Sequence, residues 1–224
     1  MVKAQTPAFV FDAYGTLFDV NAAIARHRAE AGADAQHLSD IWRAKQLEYT
    51  WTLTLAGRYI DFWTLTEQAL DHALARVPSV GRSLREKLLD AYFRLDAFAD
   101  ARGALGALRA RYGSIAILSN GSPRMLNAAV EAAGMTSLFD AVLSVDAVRK
   151  YKPQPEVYAL VTGEFGIAAP DVIFVSSNRW DVMGAASFGF HPIWVNRSHA
   201  PDEYADKPPL RVISTLTALP ALTL

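Results

Sequence analysis

Five short apolar runs constrain this chain more than any other feature. They lie near residues 8–11, 114–118, 141–145, 172–175 and 192–195, each bounded by turn or polar residues. Runs of this length, mostly rich in Val or Ile, read as buried strands. Helical patterns occupy 124–133, 156–164 and 181–187, with Gly134, Gly166 and Gly189 where C-terminal caps are expected. Alternation at this spacing implies an α/β fold on a doubly wound parallel sheet. The stretch 21–96 breaks the rhythm: it is helical at 22–31, 39–55, 60–76 and 83–91 and holds no convincing strand. It reads as a four-helix cap subdomain inserted into a Rossmann-like core made of 1–20 and 97–224. The proline-rich 201–209 stretch reads as a surface loop.

With 51% of its 224 residues hydrophobic and 20% charged, the chain can bury a sizeable core. A net charge of -1 offers no basic field for nucleic acid. Cys is absent, which excludes disulfides and thiolate metal sites, and the five histidines show no metal-ligand spacing. Residues 1–7 lack a charged-then-apolar leader pattern, and the apolar run after them is too short to cross a bilayer. A cytoplasmic protein that binds neither membrane nor nucleic acid is the expectation.

Four strand ends carry the polar residues. The run Phe9-Val-Phe-Asp-Ala-Tyr-Gly-Thr lifts Asp12 to the C-terminal edge of the first strand, and Gly15-Thr16 turns the chain there. Ser119-Asn120-Gly121-Ser122-Pro123 follows the second strand and opens a helix. That pattern is either a helix cap or an anion site, and its place in the same sheet as Asp12 favours the latter. In Tyr151-Lys-Pro-Gln-Pro-Glu-Val-Tyr158, Pro153 holds Lys152 in a defined loop, where an ammonium can keep a carboxylate ionised. Ser176-Ser-Asn-Arg-Trp-Asp181 follows the fourth strand, so Asn178 and Asp181 face the crevice that Asp12 borders.

These segments resemble the motifs of the haloacid dehalogenase superfamily. Asp12, Thr16, Ser119, Lys152, Tyr158, Ser176, Asn178 and Asp181 match, in order, the L-2-haloacid dehalogenases. The segments from Trp42 to Trp51 and from Gly57 to Trp63 are similar to cap segments of that family, with Ala44 where Gln is frequent. Phosphatases of the superfamily usually carry acidic residues at the positions of Tyr14 and Ser177. Tyr14, in place of the leaving-group acid, points away from phosphoryl transfer, and Ser177 weakens the case for magnesium, which wants carboxylates among its oxygen ligands.

The resemblance implies a cofactor-independent, metal-free hydrolase acting on short (S)-2-haloacids. Asp12 is implied as nucleophile, oriented by Thr16, Lys152, Ser176 and Asn178, with Asp181 activating the hydrolytic water. Ser119 and the N–H groups near Ala13 and Asn120 are implied to hold the substrate carboxylate. Arg43 with Asn120 accepts the halide, while Tyr14, Leu47, Phe62, Tyr158 and Trp180 complete the pocket. Water and the haloacid are the implied small-molecule partners, and an apolar cap surface suits a homodimer. The rival readings are a magnesium-dependent phosphatase and a non-catalytic binding domain.

Overall fold

The computed structural model describes residues 7–223, so the leader reading of 1–6 lies outside the described residues. Five of its strands fall on the five apolar runs: β1 (Ala8–Phe11), β2 (Ile115–Ser119), β3 (Ala141–Ser144), β4 (Val172–Ser176) and β5 (His191–Val195). A sixth, β6 (Arg211–Ile213), joins them in the order β3-β2-β1-β4-β5-β6, and every pairing is parallel. β1, β2 and β4 are buried along their whole length, as a sheet covered on both faces requires. The chain runs outward from β1 through β2 to β3, then returns to place β4 on the other side of β1. The switch point therefore lies between β1 and β4, where a doubly wound sheet opens its ligand crevice.

Between β1 and the core helix α6 (Ala101–Tyr112) the chain forms α1 (Ala22–Arg26), α2 (Arg28–Ala31), α3 (Ala35–Leu55), α4 (Phe62–Arg76) and α5 (Arg85–Phe93). The helix expected over 22–31 is thus two short ones, broken at His27, whose backbone leaves the helical region at φ -114, ψ 17. The helix expected from residue 60 begins two residues later. Asp61 caps it, accepting from the N–H groups of Trp63 (3.0 Å) and Thr64 (3.1 Å).

The two ends of this helical segment leave the core side by side. Phe18 and Ala97 form an antiparallel bridge, flanked by Asp19 N–H donating to Asp96 O (2.9 Å) and Phe98 N–H to Leu17 O (2.8 Å). The remaining helices, α7 (Pro123–Ala132), α8 (Pro155–Phe165) and α9 (Arg179–Phe188), follow β2, β3 and β4. Gly134, Gly166 and Gly189 sit at or just beyond their ends with φ of 61, 63 and 106, conformations that a side chain disfavours. Among the described residues no helix is long and apolar enough to cross a membrane.

Candidate active site

Asp12 extends β1 by one rung, its N–H donating to Val175 O of β4 at 2.9 Å. That rung carries the carboxylate to the switch point, where it is 6% exposed. The turn after it needs Gly15, at φ +90, and brings Thr16 back under the carboxylate. Thr16 Oγ1 (3.0 Å) and Asn178 Nδ2 (2.9 Å) donate to Asp12 Oδ2, and Lys152 Nζ donates to Oδ1 at 3.1 Å. Both oxygens are thereby oriented, one of them by a charge-assisted bond.

Lys152 is buried with all its protons used: they go to Asp12, to Leu118 O (2.7 Å) and to Asp181 Oδ2 (2.8 Å). Its backbone N–H donates to Asn120 Oδ1 at 3.1 Å, which turns the Asn120 amide nitrogen away from Lys152. Asp181, wholly buried at the start of α9, also accepts from Ser176 Oγ (3.2 Å) and the Tyr158 hydroxyl (2.8 Å). Gly184 lies one turn further along α9, where a Cβ would overlap that hydroxyl.

One ammonium thus serves two buried carboxylates, and the protonation pattern follows from that imbalance. Burial is the largest influence on Asp181; Lys152 opposes it and Asp12 adds to it, and the carboxyl is pushed up to about 6. Burial alone pulls Lys152 down, but the attraction of Asp12 and Asp181 outweighs it and holds the ammonium above its ordinary value. Tyr158 is raised by burial and then by Asp181, so it stays a neutral donor.

Above Asp12 lies a small cavity. Asp12, Ser119, Asn120 and Asn178 form its core side; Arg43, Leu47 and Phe62 reach it from α3 and α4. Ser119 Oγ accepts from Gly121 N–H at 3.1 Å, which leaves its own proton to donate. The Ala13 and Asn120 N–H groups have no acceptor among the described residues. Arg43 Nη2 stands 3.5 Å from Tyr14 O, and Arg43 makes no ion pair among the described residues. The cavity therefore offers a nucleophilic carboxylate, neutral donors and one uncompensated cation between apolar walls.

Tyr14 and Trp180 complete the lining. The Tyr14 ring stacks on Tyr92 (5.9 Å, 9°) and tilts against Phe62 (5.9 Å), and burial raises its phenol. Tyr158, expected in the pocket, stands instead behind Asp181, and Ala13 is buried outside the cavity wall. Thr16, Lys152, Ser176 and Asp181 form the layer beneath Asp12. Sequence reasoning missed the Leu118 carbonyl, Tyr92 and Trp51. Leu118 and Tyr92 carry no local signal; Trp51 meets Trp180 edge-on at 5.5 Å and 83°.

Known proteins share this fold from end to end. The profile of the haloacid dehalogenase-like hydrolases matches residues 6–189. The chain is 48% identical over 218 residues to (S)-2-haloacid dehalogenase 1 of Pseudomonas sp. (strain CBS-3), covering 97% of this chain and 96% of the relative. A crystal structure of a dehalogenase superposes with a TM-score of 0.95 at 42% identity, covering 100% of both chains. The L-2-haloacid dehalogenase from Xanthobacter autotrophicus with chloropropionic acid covalently bound gives a TM-score of 0.86 at 39% identity, over 96% of this chain and 97% of that one. With the profile spanning most of its length and near-complete relatives at this identity, the chain belongs to the haloacid dehalogenase-like hydrolases, on their (S)-2-haloacid dehalogenase branch.

Proposed function

We propose that this chain is a hydrolase of carbon–halide bonds that converts short (S)-2-haloacids to (R)-2-hydroxy acids and halide through an ester on Asp12. One observation carries the reading. A fully oriented carboxylate faces an unpaired arginine across a small apolar cavity, and a phenol stands where a phosphatase would place its acid. Asp12 attacks C2 from the side opposite the halogen; the new C–O bond forms as the C–halogen bond breaks, so the centre inverts. The halide leaves toward Arg43 and the free amide nitrogen of Asn120. Ser119 and the unpaired N–H of Asn120 hold the substrate carboxylate, which Asp12 would otherwise repel. Orientation and exclusion of water do most of the work, because a hydrated carboxylate is a weak nucleophile.

Water then adds to the Asp12 carboxyl carbon and the hydroxy acid leaves with an Asp12 oxygen. Thr16, Asn178 and Lys152 stabilise the tetrahedral oxyanion, and Asp181 takes the proton. The helical segment 21–96 acts as a cap over the core 1–20 and 97–224, a division that the paired Phe18–Ala97 neck supports. A homodimer and a cytoplasmic location belong to the same reading, and light scattering tests the former. The residues do not suit a divalent cation. Both Asp181 oxygens already accept hydrogen bonds, and Lys152 supplies the countercharge.

Halide release from (S)- but not (R)-2-chloropropionate, unchanged by EDTA, tests the reaction. Single turnover in oxygen-18 water tests the ester: the first product stays unlabelled and Asp12 gains the label. Label in that product overturns the ester route.

The acid limbs of the pH profile are expected to differ. In the free enzyme Asp181, which shares Lys152 with the nucleophile, takes up a proton near 6, so kcat/KM falls by about tenfold per pH unit below that point. The ester carries no charge on Asp12, which removes one cause of the raised Asp181 value. Its acid limb, read in kcat when hydrolysis is rate-limiting, therefore lies at lower pH. Coincident limbs contradict this assignment.

A further inference from the structure

Arg43, Leu47, Trp51 and Leu55 recur every four residues and form one stripe along α3. The first half of the stripe lines the reaction cavity. The second half lines an apolar groove of about 310 Å³ that also reaches Pro153 and Tyr204. Among the described residues Trp180 is the one side chain that lines both spaces. It stands on the first turn of α9, and the edge-on contact with Trp51 fixes its indole against α3. Its indole thus stands at the boundary the cavity and the groove share. The Leu55 end of the groove is open to solvent, with Leu55 84% exposed.

We propose that the Trp51–Trp180 pair sets substrate chain length. It closes the cavity behind a short 2-haloacid, and the groove receives the alkyl tail of a longer one only when Trp180 turns aside. Trp51 acts here as a positioning residue for Trp180. The inference rests on the haloacid reading of the same cavity. The carboxylate and halogen stay where Asp12, Ser119 and Arg43 place them, while the tail runs along α3 from Leu47 toward Leu55. The chemistry of the groove suits that tail: Trp51, Leu55, Pro153 and Tyr204 present mainly apolar surface.

The test is bromide release from (S)-2-bromopropionate, (S)-2-bromohexanoate and (S)-2-bromooctanoate by the full-length protein and its W51A, W51L and W51F variants. For the native chain, kcat/KM falls by about tenfold or more from the three-carbon to the six-carbon acid, in line with the discrimination one methylene commands in a closed pocket. In W51A the ratio of hexanoate to propionate activity rises by about tenfold. W51F, which keeps an aromatic edge against Trp180, restores the native ratio. W51L retains apolar volume and takes the place of W51A if the latter does not fold; a thermal melt shows whether each variant is folded. An unchanged ratio in a folded W51A or W51L, or a native chain indifferent to chain length, overturns the proposal. If the native chain releases no bromide from any of the three, the haloacid reading itself fails.

Discussion

Replacing Lys152 by methionine is expected to abolish turnover and to lower the unfolding free energy by about 3–5 kcal/mol near neutral pH. Lys152 is 1% exposed and donates to both Asp12 and Asp181, so its loss leaves two carboxylates facing each other without countercharge. One of them must hold a proton, and Asp181, already pushed up to about 6, moves further up. A carboxyl raised in the folded state contributes stability that is fully present below its unfolded value of about 4. That contribution is lost as pH rises through the folded value. The deficit of the variant is therefore larger at about pH 8 than at about pH 5. Melting curves at the two pH values read this directly. Equal melting temperatures for variant and native chain at the higher pH, or retained halide release, contradict it.

Asp12→Asn separates the nucleophile from the scaffold. Turnover is expected to fall by about 10⁴-fold or more, as when a unit of nucleophile and partners loses its reacting atom. Stability changes far less than in the lysine variant. Asn keeps the shape of Asp12 and leaves Lys152 paired with Asp181, at the expense of an amide facing Thr16 Oγ1 and Asn178 Nδ2. Removing the Asp12 charge also removes one of the influences that raise Asp181. Halide assays and melts on the same preparation decide the matter. Activity within about tenfold of the native chain shows that Asp12 does not form the ester.

The buried strands were legible because a strand covered on both faces must be apolar throughout, and the five runs fall within a residue of their observed bounds. β6 was not: its three residues are largely exposed, and Arg-Val-Ile after two prolines shows no burial pattern. α6 also escaped, although its buried Ala101, Ala104, Leu105 and Leu108 keep helical spacing, because Gly103 and Gly106 dilute its helical character. The break at His27 has no marker in the sequence, whereas the Asp61 cap does.

In the site, Asp12 and Ser119 stand at strand ends, Asp181 on the first turn of the helix after β4 and Lys152 in the loop between β3 and α8, all on the edge where a doubly wound sheet concentrates its chemistry. Arg43, Leu47 and Phe62 reached the candidate set only through resemblance to family segments. The folded chain brings all three to the cavity above Asp12. Tyr158 shows the limit of such reasoning: the motif marked it as important, but only packing around Gly184 places it against Asp181.

The narrow neck at Phe18 and Ala97 has an evolutionary reading. Both ends of the helical insertion emerge at neighbouring points, so the sheet is blind to what lies between them. Lineages can lengthen, shorten or exchange that insertion without shifting the register of a single strand. A change in the helical segment then reaches the cavity through α3 and α4, while the rung that carries Asp12 stays where β4 holds it.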